Sequence, residues 1–314
     1  MENMEFRESL VNSLKSAETW LVSQQKKNGS FVESYPYHIF EVWDTLNSIE
    51  ALAGKPIFLE VIEKSWNFLK KNIRADGLCY FHSNVDTELK CTETSSLLHF
   101  LSFNQDWLIK DGYFNLLNSS VRPDGAVRLH NELHLVPEEL QFYDSVAGFA
   151  LLGIYRHPEI NKIVDSQSII KRAKHSLLYP ENLTRHWQYF GSEYYAFYYL
   201  VRGLACHNQI DDNIKESVTN YIINHQREDG AILDDGPCEI TEVSEQFRTL
   251  LALNTLQTLS FPKQDHVFQS ATNFILNSQG SEGEISGGFF KGKKSENIYA
   301  TSLWIKFLDW YLKA

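Results

Sequence analysis

Apolar residues along this chain fall into two kinds of stretch that alternate from end to end. In the first kind, large apolar residues recur at three- and four-residue steps among polar ones, as in Ala17, Trp20 and Leu21, then Trp66, Phe68 and Leu69, then Ala271, Phe274 and Ile275. This spacing predicts amphipathic helices that bury one face. Each ends on a polar turn: Gln24-Gln-Lys-Lys-Asn-Gly-Ser-Phe31, Arg74-Ala-Asp-Gly-Leu78, Arg122-Pro-Asp-Gly-Ala126, Gln226-Arg-Glu-Asp-Gly-Ala231 and Gln279-Gly-Ser-Glu-Gly-Glu284. Glycine there supplies the positive φ that stops a helix. A degenerate copy of the turn is expected near Tyr179-Pro-Glu-Asn-Leu183.

The second kind of stretch starts roughly fifteen to twenty residues after each turn and is more apolar all round. Its openings are Trp43-Asp-Thr-Leu46, Thr92-Glu-Thr-Ser95, Tyr143-Asp-Ser-Val146, Ser192-Glu-Tyr-Tyr195, Ser244-Glu-Gln-Phe247 and Tyr299-Ala-Thr-Ser302. The second positions, Asp44, Glu93, Asp144, Glu193, Glu245 and Ala300, are spaced by 49, 51, 49, 52 and 55 residues. A fixed period of this length marks a repeat architecture. Six helical hairpins of this size can close on themselves. The expected fold is therefore all-α, an (α/α)6 toroid formed as one domain over residues 1–314, with the amphipathic helices outside and the apolar ones inside.

In such a ring the inner helices run parallel, and their starts share one rim. The five acids would then sit where helix dipoles favour an anion. Taken singly, each is explained as a helix-start residue. As a set of close carboxylates they would repel, so that one holds a proton for general-acid chemistry. Glu245 is the first candidate for that acid, Asp44 and Glu93 follow, Glu242 is its partner, Asp144 is a further catalytic candidate, and Glu193 is expected to face the substrate. Aromatic residues make up 13% of the chain, and the inner helices carry many of them. Trp43, Tyr143, Tyr194, Phe247, Tyr299 and Trp304 are the expected substrate-facing rings, because ring faces stabilise cations. Part of the run Tyr194-Tyr-Ala-Phe-Tyr-Tyr199 must be structural, since it points all round its helix.

The turns resemble the QW repeats of squalene and diterpene cyclases, with Gln24 to Phe31 close to that pattern and Gln226 to Ile232 a partial match. Val42-Trp-Asp-Thr45 resembles the segment that opens the first inner helix of those cyclases. Gly287 to Trp304 resembles the last repeat of protein prenyltransferase β subunits. The resemblance spans nearly the whole chain and implies the fold of the terpenoid cyclase and prenyltransferase superfamily, with an isoprenoid bound in the barrel and cyclised after protonation. The family's Asp-x-Asp-Asp acid motif would fall on Lys90-Cys-Thr-Glu93, which lacks the central acid. Glu242-Val-Ser-Glu245 is the nearest substitute, one that also resembles the Val-Ser-Asp-Cys-Thr phrase of oxidosqualene cyclases. The zinc-binding His of the prenyltransferases would fall on Ala300, so no metal site is expected from the resemblance. A diphosphate substrate would call for Mg2+, which no motif here places. Two other readings remain open: a non-catalytic isoprenoid- or lipid-binding toroid, and a carbohydrate-active hydrolase or lyase using paired carboxylates, with Trp43 and Trp187 as stacking platforms.

Bulk properties narrow the field. The net charge of −11 and the lack of a basic face argue against nucleic acid as a partner. The run Lys291-Gly-Lys-Lys294 reads as a solvated loop, and Asp211-Asp212 as a helix cap. His130-Asn-Glu-Leu-His134 departs from the HExxH zinc pattern and Cys206-His207 lacks a second pair. Cys79, Cys91, Cys206 and Cys238 are scattered, as in a reducing compartment. The polar start of the chain and the absence of a long apolar run point to the cytosol, with at most peripheral contact with a membrane.

Overall fold

The apolar inner stretches and amphipathic outer stretches form two concentric rings of helices. The structure, a computed structural model, describes residues 2–32, 41–79, 91–102, 105–129, 142–180, 183, 192–234, 241–290, 293–294 and 297–313. The outer helices are α1 (Glu2–Ser23), α3 (Leu59–Asn72), α5 (Lys110–Ser120), α7 (Ser166–Leu178), α9 (Asp212–Asn224) and α11 (His266–Ser278). The inner helices are α2 (Glu41–Leu52), α4 (Thr92–Leu101), α6 (Asp144–Arg156), α8 (Glu193–Cys206), α10 (Glu245–Thr258) and α12 (Asn297–Leu312). Each inner helix packs on the next, and α12 packs back on α2 and closes the ring. Burial follows the two sequence patterns. Ser145 to Ile154 of α6 are all buried, whereas α3 buries only Ser65, Phe68 and Leu69.

The polar turns hold the outer ring together. Gly29, Gly77, Gly125, Gly230 and Gly283 all have positive φ, from 81° to 106°. Each lies against the backbone of the next outer helix. A Cβ on Gly29 would fall 2.2 Å from Lys64 O, and one on Gly283 would fall 2.3 Å from Ser16 O of α1. The glutamine of the turn reaches the same neighbour: Gln25 Nε2 donates to Val61 O at 2.8 Å, Gln226 Nε2 to Val267 O at 2.8 Å and Gln279 Nε2 to Ser13 O at 3.2 Å. With this last pair the outer ring closes on its own beginning. In the fourth repeat, α7 ends at Leu178 without such a glycine, and most of the expected degenerate turn lies outside the described residues.

A second device ties each turn to its inner helix. Phe31 N–H donates to Thr45 Oγ1 at 3.0 Å, Cys79 N–H to Ser95 Oγ at 3.1 Å, Ile232 N–H to Thr249 Oγ1 at 3.0 Å and Ile285 N–H to Thr301 Oγ1 at 2.9 Å. These four hydroxyls set a common register for α2, α4, α10 and α12. Besides isolated β-bridges at the turns, a small antiparallel sheet departs from the all-helical pattern among the described residues. It comprises β1 (Thr241–Val243), β2 (Gly288–Phe290) and β3 (Lys293–Lys294), in that order, with Thr241 opposite Phe290. It joins the segments leading into α10 and α12. Glu242, expected beside Glu245 at the helix start, lies instead in the middle of β1, opposite Phe289.

Candidate active site

Counted from the latch hydroxyls, the inner-helix starts are not aligned as the acidic tetrads suggest. Trp43 stands two residues before Thr45, Phe247 two before Thr249 and Tyr299 two before Thr301. Glu93 stands two before Ser95, so it belongs with those rings and not with the other acids. Asp44 stands one before its hydroxyl and Glu245 four before. One residue turns the side chain by about 100° on a helix, so acids at matching sequence offsets face different ways.

The partners of each acid confirm the difference in direction. Asp144 accepts from Arg172 Nε of α7 at 2.9 Å. Glu193 accepts from the Tyr221 hydroxyl of α9. Glu245 accepts from Arg227 Nη1 of the preceding turn at 2.6 Å, with its side chain 46% exposed. An ion pair this exposed is screened by solvent and contributes little. Glu245 therefore stands in a partly exposed ion pair and faces the preceding turn, not the barrel axis. Asp44 is buried at the fourth position of α2. Among the described residues no three His, Cys, Asp or Glu side chains converge on a common metal position. The His130–His134 loop, Trp187 and Cys238 lie outside the described residues, and Cys79, Cys91 and Cys206 are free thiols.

Glu93 is different. It is 1% exposed, and the Tyr195 hydroxyl of α8 donates to its Oε1. Oε2 has no hydrogen-bond partner among the described residues. Burial raises its pKa to about 8, and the Tyr195 hydrogen bond offsets only part of that rise. The cause is desolvation, not a second carboxylate as the rim of acids suggested. The helix dipole, worth up to about 2 kcal/mol for an anion at a helix start, is the weaker effect here. Burial thus favours the protonated form of Glu93.

The rings around it form a layer across the barrel. Trp43 meets Phe149 of α6 edge-on at 5.6 Å and Tyr299 at 5.7 Å. Phe247 meets Tyr299 at 5.3 Å, and Tyr195 meets Phe149 at 6.2 Å and Tyr299 at 6.4 Å. Glu93 and these five rings together draw one inward side chain from each of the six inner helices. Below the layer, Phe149 stacks on Tyr199 at 3.7 Å, and the Tyr199 and Tyr299 hydroxyls share a hydrogen bond of 2.6 Å. These side chains fill the centre beneath the rings.

Three of the expected substrate-facing residues point elsewhere. Trp304 Nε1 donates to Ser13 Oγ of α1 at 2.9 Å, and Tyr194 packs on Phe197 and on Tyr221 of α9, so both fill the space between the rings of helices. Tyr143 is half-buried at the cap of α6, with burial raising its phenol pKa. Asp234 had no sequence signal. Its buried carboxylate accepts from Ser192 Oγ at 2.5 Å and Glu193 N–H at 2.6 Å, and pairs with Arg248 Nη1 at 3.0 Å. It thereby caps α8, the helix that carries Tyr195.

No family model matches the chain, and no curated protein sequence matches it. Solved structures do. Type II terpene cyclase MstE from Scytonema superposes with a TM-score of 0.68 at 14% identity, over 96% of this chain and 98% of that one. A possible member of the GH105 family from Salmonella enterica superposes with a TM-score of 0.63 at 12% identity, over 98% and 94%. The ent-copalyl diphosphate synthase of Streptomyces platensis superposes with a TM-score of 0.51 at 12% identity, over 87% of this chain but 50% of the synthase. At these identities the likeness is one of fold, and fold alone does not fix an activity. The chain has the α/α toroid fold of the terpenoid cyclases.

Proposed function

We propose that this protein is a terpenoid-cyclase-like enzyme that starts cyclisation of an isoprenoid by protonating it from Glu93. One observation carries this reading: a fully buried carboxyl, whose pKa burial raises to about 8, stands among five inward-facing rings at the centre of the toroid. The proton on the carboxyl passes to an alkene carbon, whose π electrons form the new C–H bond and leave a cation on the neighbouring carbon. The next alkene attacks that cation and closes a ring. The last cation loses a proton to water, its C–H electrons forming the final alkene, and Glu93 regains a proton from water. The carboxylate left on Glu93 keeps the Tyr195 hydrogen bond, now charge-assisted and roughly twice as strong as a neutral one. The new anion and cation form together in a water-poor site, so their attraction offsets part of the cost of each. Trp43, Tyr195, Phe247 and Tyr299 offer ring faces worth about 0.5–2 kcal/mol each to the cation.

A structure of an MstE variant holds geranylgeranyl dihydroxybenzoate, and its fold matches this chain with a TM-score of 0.71 at 13% identity. A prenylated aromatic is accordingly a sensible substrate class to include. The carbohydrate reading needs two carboxylates flanking one bond. Asp144, Glu193 and Glu245 are already engaged by Arg172, Tyr221 and Arg227. The test is incubation with linear polyenes, prenylated aromatics and isoprenoid diphosphates, with and without Mg2+, read by mass spectrometry. Cyclised product is expected from the wild type and none from Glu93→Gln. Product from Glu93→Gln at the wild-type rate would overturn the assignment.

A further inference from the structure

Seven residues below the ring layer, on the same inward faces, stands a layer of opposite character. Glu50 follows Trp43 by seven positions, Arg202 follows Tyr195 by seven and Lys306 follows Tyr299 by seven. Seven residues are two helical turns, or about 10 Å along the axis. The three charges meet there. Arg202 Nη2 bonds to Glu50 Oε1, and Lys306 Nζ bonds to Glu50 Oε2 at 2.7 Å and to the Tyr198 hydroxyl at 2.9 Å. α2 and α8 are not neighbours in the inner ring, so the Glu50–Arg202 pair crosses the barrel. Each of the three side chains is only 12–13% exposed. Burial pushes the Glu50 carboxyl up, but the two cations outweigh it and bring the pKa down to about 2, so Glu50 is charged. Two cations and one anion leave one net positive charge in the floor. The Arg202 guanidinium lies 4.9 Å from the Tyr198 ring centroid and 5.6 Å from that of Tyr199, which Phe149 also stacks on.

We infer that Glu50, Arg202 and Lys306 form a positive floor that sets the direction of charge migration, pushing the cation of an isoprenoid cyclisation away from Glu93 toward the rim. This inference rests on the cyclase reading and deepens it. A cation formed beside Glu93 is the one nearest the floor. Each later cation, on carbons farther along a chain that reaches toward the rim, is farther from it. A buried unit charge about 10 Å away acts on a cation with an effect of about 15-fold in affinity, and at twice that distance of about fourfold, for an effective dielectric constant of about 20. The floor thereby favours propagation over early loss of the proton. It does so without touching the substrate, so these three are positioning residues acting through the field.

The test uses two quaternary ammonium analogues of one linear isoprenoid, measured by calorimetry on the full-length protein. One carries nitrogen at the carbon that is first to become cationic, the other two isoprene units farther along. Lys306→Met removes the net charge, and Glu50→Gln adds to it. Lys306→Met is expected to strengthen binding of the first analogue about 15-fold and of the second about fourfold, and Glu50→Gln to weaken them in the same order. A merely structural role would move both analogues together and in the same direction for both variants. Equal binding ratios in wild type, Lys306→Met and Glu50→Gln would overturn the inference while leaving the cyclase reading intact. If neither analogue nor the neutral isoprenoid binds the wild type, the cyclase reading fails and the inference with it. Circular dichroism of each variant establishes that the toroid is folded before binding is compared.

Discussion

Replacing Glu93 with Gln should make the protein's stability less sensitive to pH, and the size of that change follows from the burial of one carboxyl. The pKa of Glu93 rises from 4.5 to about 8 on folding. Between those values the folded chain holds one proton more than the unfolded chain. Stability contributed by this group is therefore complete below about pH 4.5 and is lost as pH climbs through about 8. One pH unit corresponds to about 1.36 kcal/mol, so the full interval is worth on the order of 5 kcal/mol, a large part of a typical folding free energy. Gln keeps an oxygen for the Tyr195 hydroxyl and carries no titrating proton. The cost of its unpaired amide is the same at every pH and shifts the curve without tilting it. Urea unfolding of both proteins at about pH 5, 6.5 and 8 measures the difference. Glu93→Gln should gain about 3–5 kcal/mol on the wild type across that range. A difference that stays flat with pH would show that Glu93 is ionised or solvated in the folded state, and the case for a resident proton would collapse.

The other predictions concern the scaffold. Gly283→Ala should cost more than Gly54→Ala by about 2 kcal/mol or more in urea unfolding, because both glycines have positive φ but only Gly283 abuts a neighbouring backbone, at Ser16 O. Equal costs would mean that the turn does not close the outer ring. Thr249→Val should lose about 1–3 kcal/mol, since it leaves the Ile232 N–H without its buried acceptor. Asp234→Ala should lose about 2–4 kcal/mol through the α8 cap and the stranded Arg248, and should lower activity by shifting Tyr195. Wild-type stability in Asp234→Ala would remove the capping role.

The sequence carried the rings of helices because the devices that build them are repeated. A glycine that must have positive φ, a glutamine that reaches the next outer helix and a hydroxyl that receives a turn N–H recur at one period, and repetition is visible without a structure. The site is not repeated, and the acidic tetrads misled for a definite reason. Helix starts collect acids whichever way those acids face, because the dipole acts on all of them alike. Asp144, Glu193 and Glu245 satisfy that demand and turn to partners on the outer layer. Trp304 and Tyr194 show the same limit for rings, since a large aromatic serves the space between helix layers as well as it serves an axis.

What separates Glu93 from the other acids is its register against Ser95, and that register could have been read. Aligning Thr45, Ser95, Thr249 and Thr301 rather than the acids puts Glu93 in a column with Trp43, Phe247 and Tyr299. A carboxyl in a column of large apolar residues is the anomaly that burial converts into a held proton. The same alignment, carried seven residues on, places Glu50 and Lys306 in one column and sets Phe100 and Asn254 beside them. A column that is apolar at one level and charged two turns below implies that the axis changes character along its length. The toroid thus has two levels fixed by one register: a buried carboxyl among rings near the helix starts, and the buried cluster of Glu50, Arg202 and Lys306 beneath them. In the proposed cyclisation the first would supply a proton and the second would oppose the return of the charge that the proton creates, so the end of the inner helices that each residue occupies would set the direction of the chemistry.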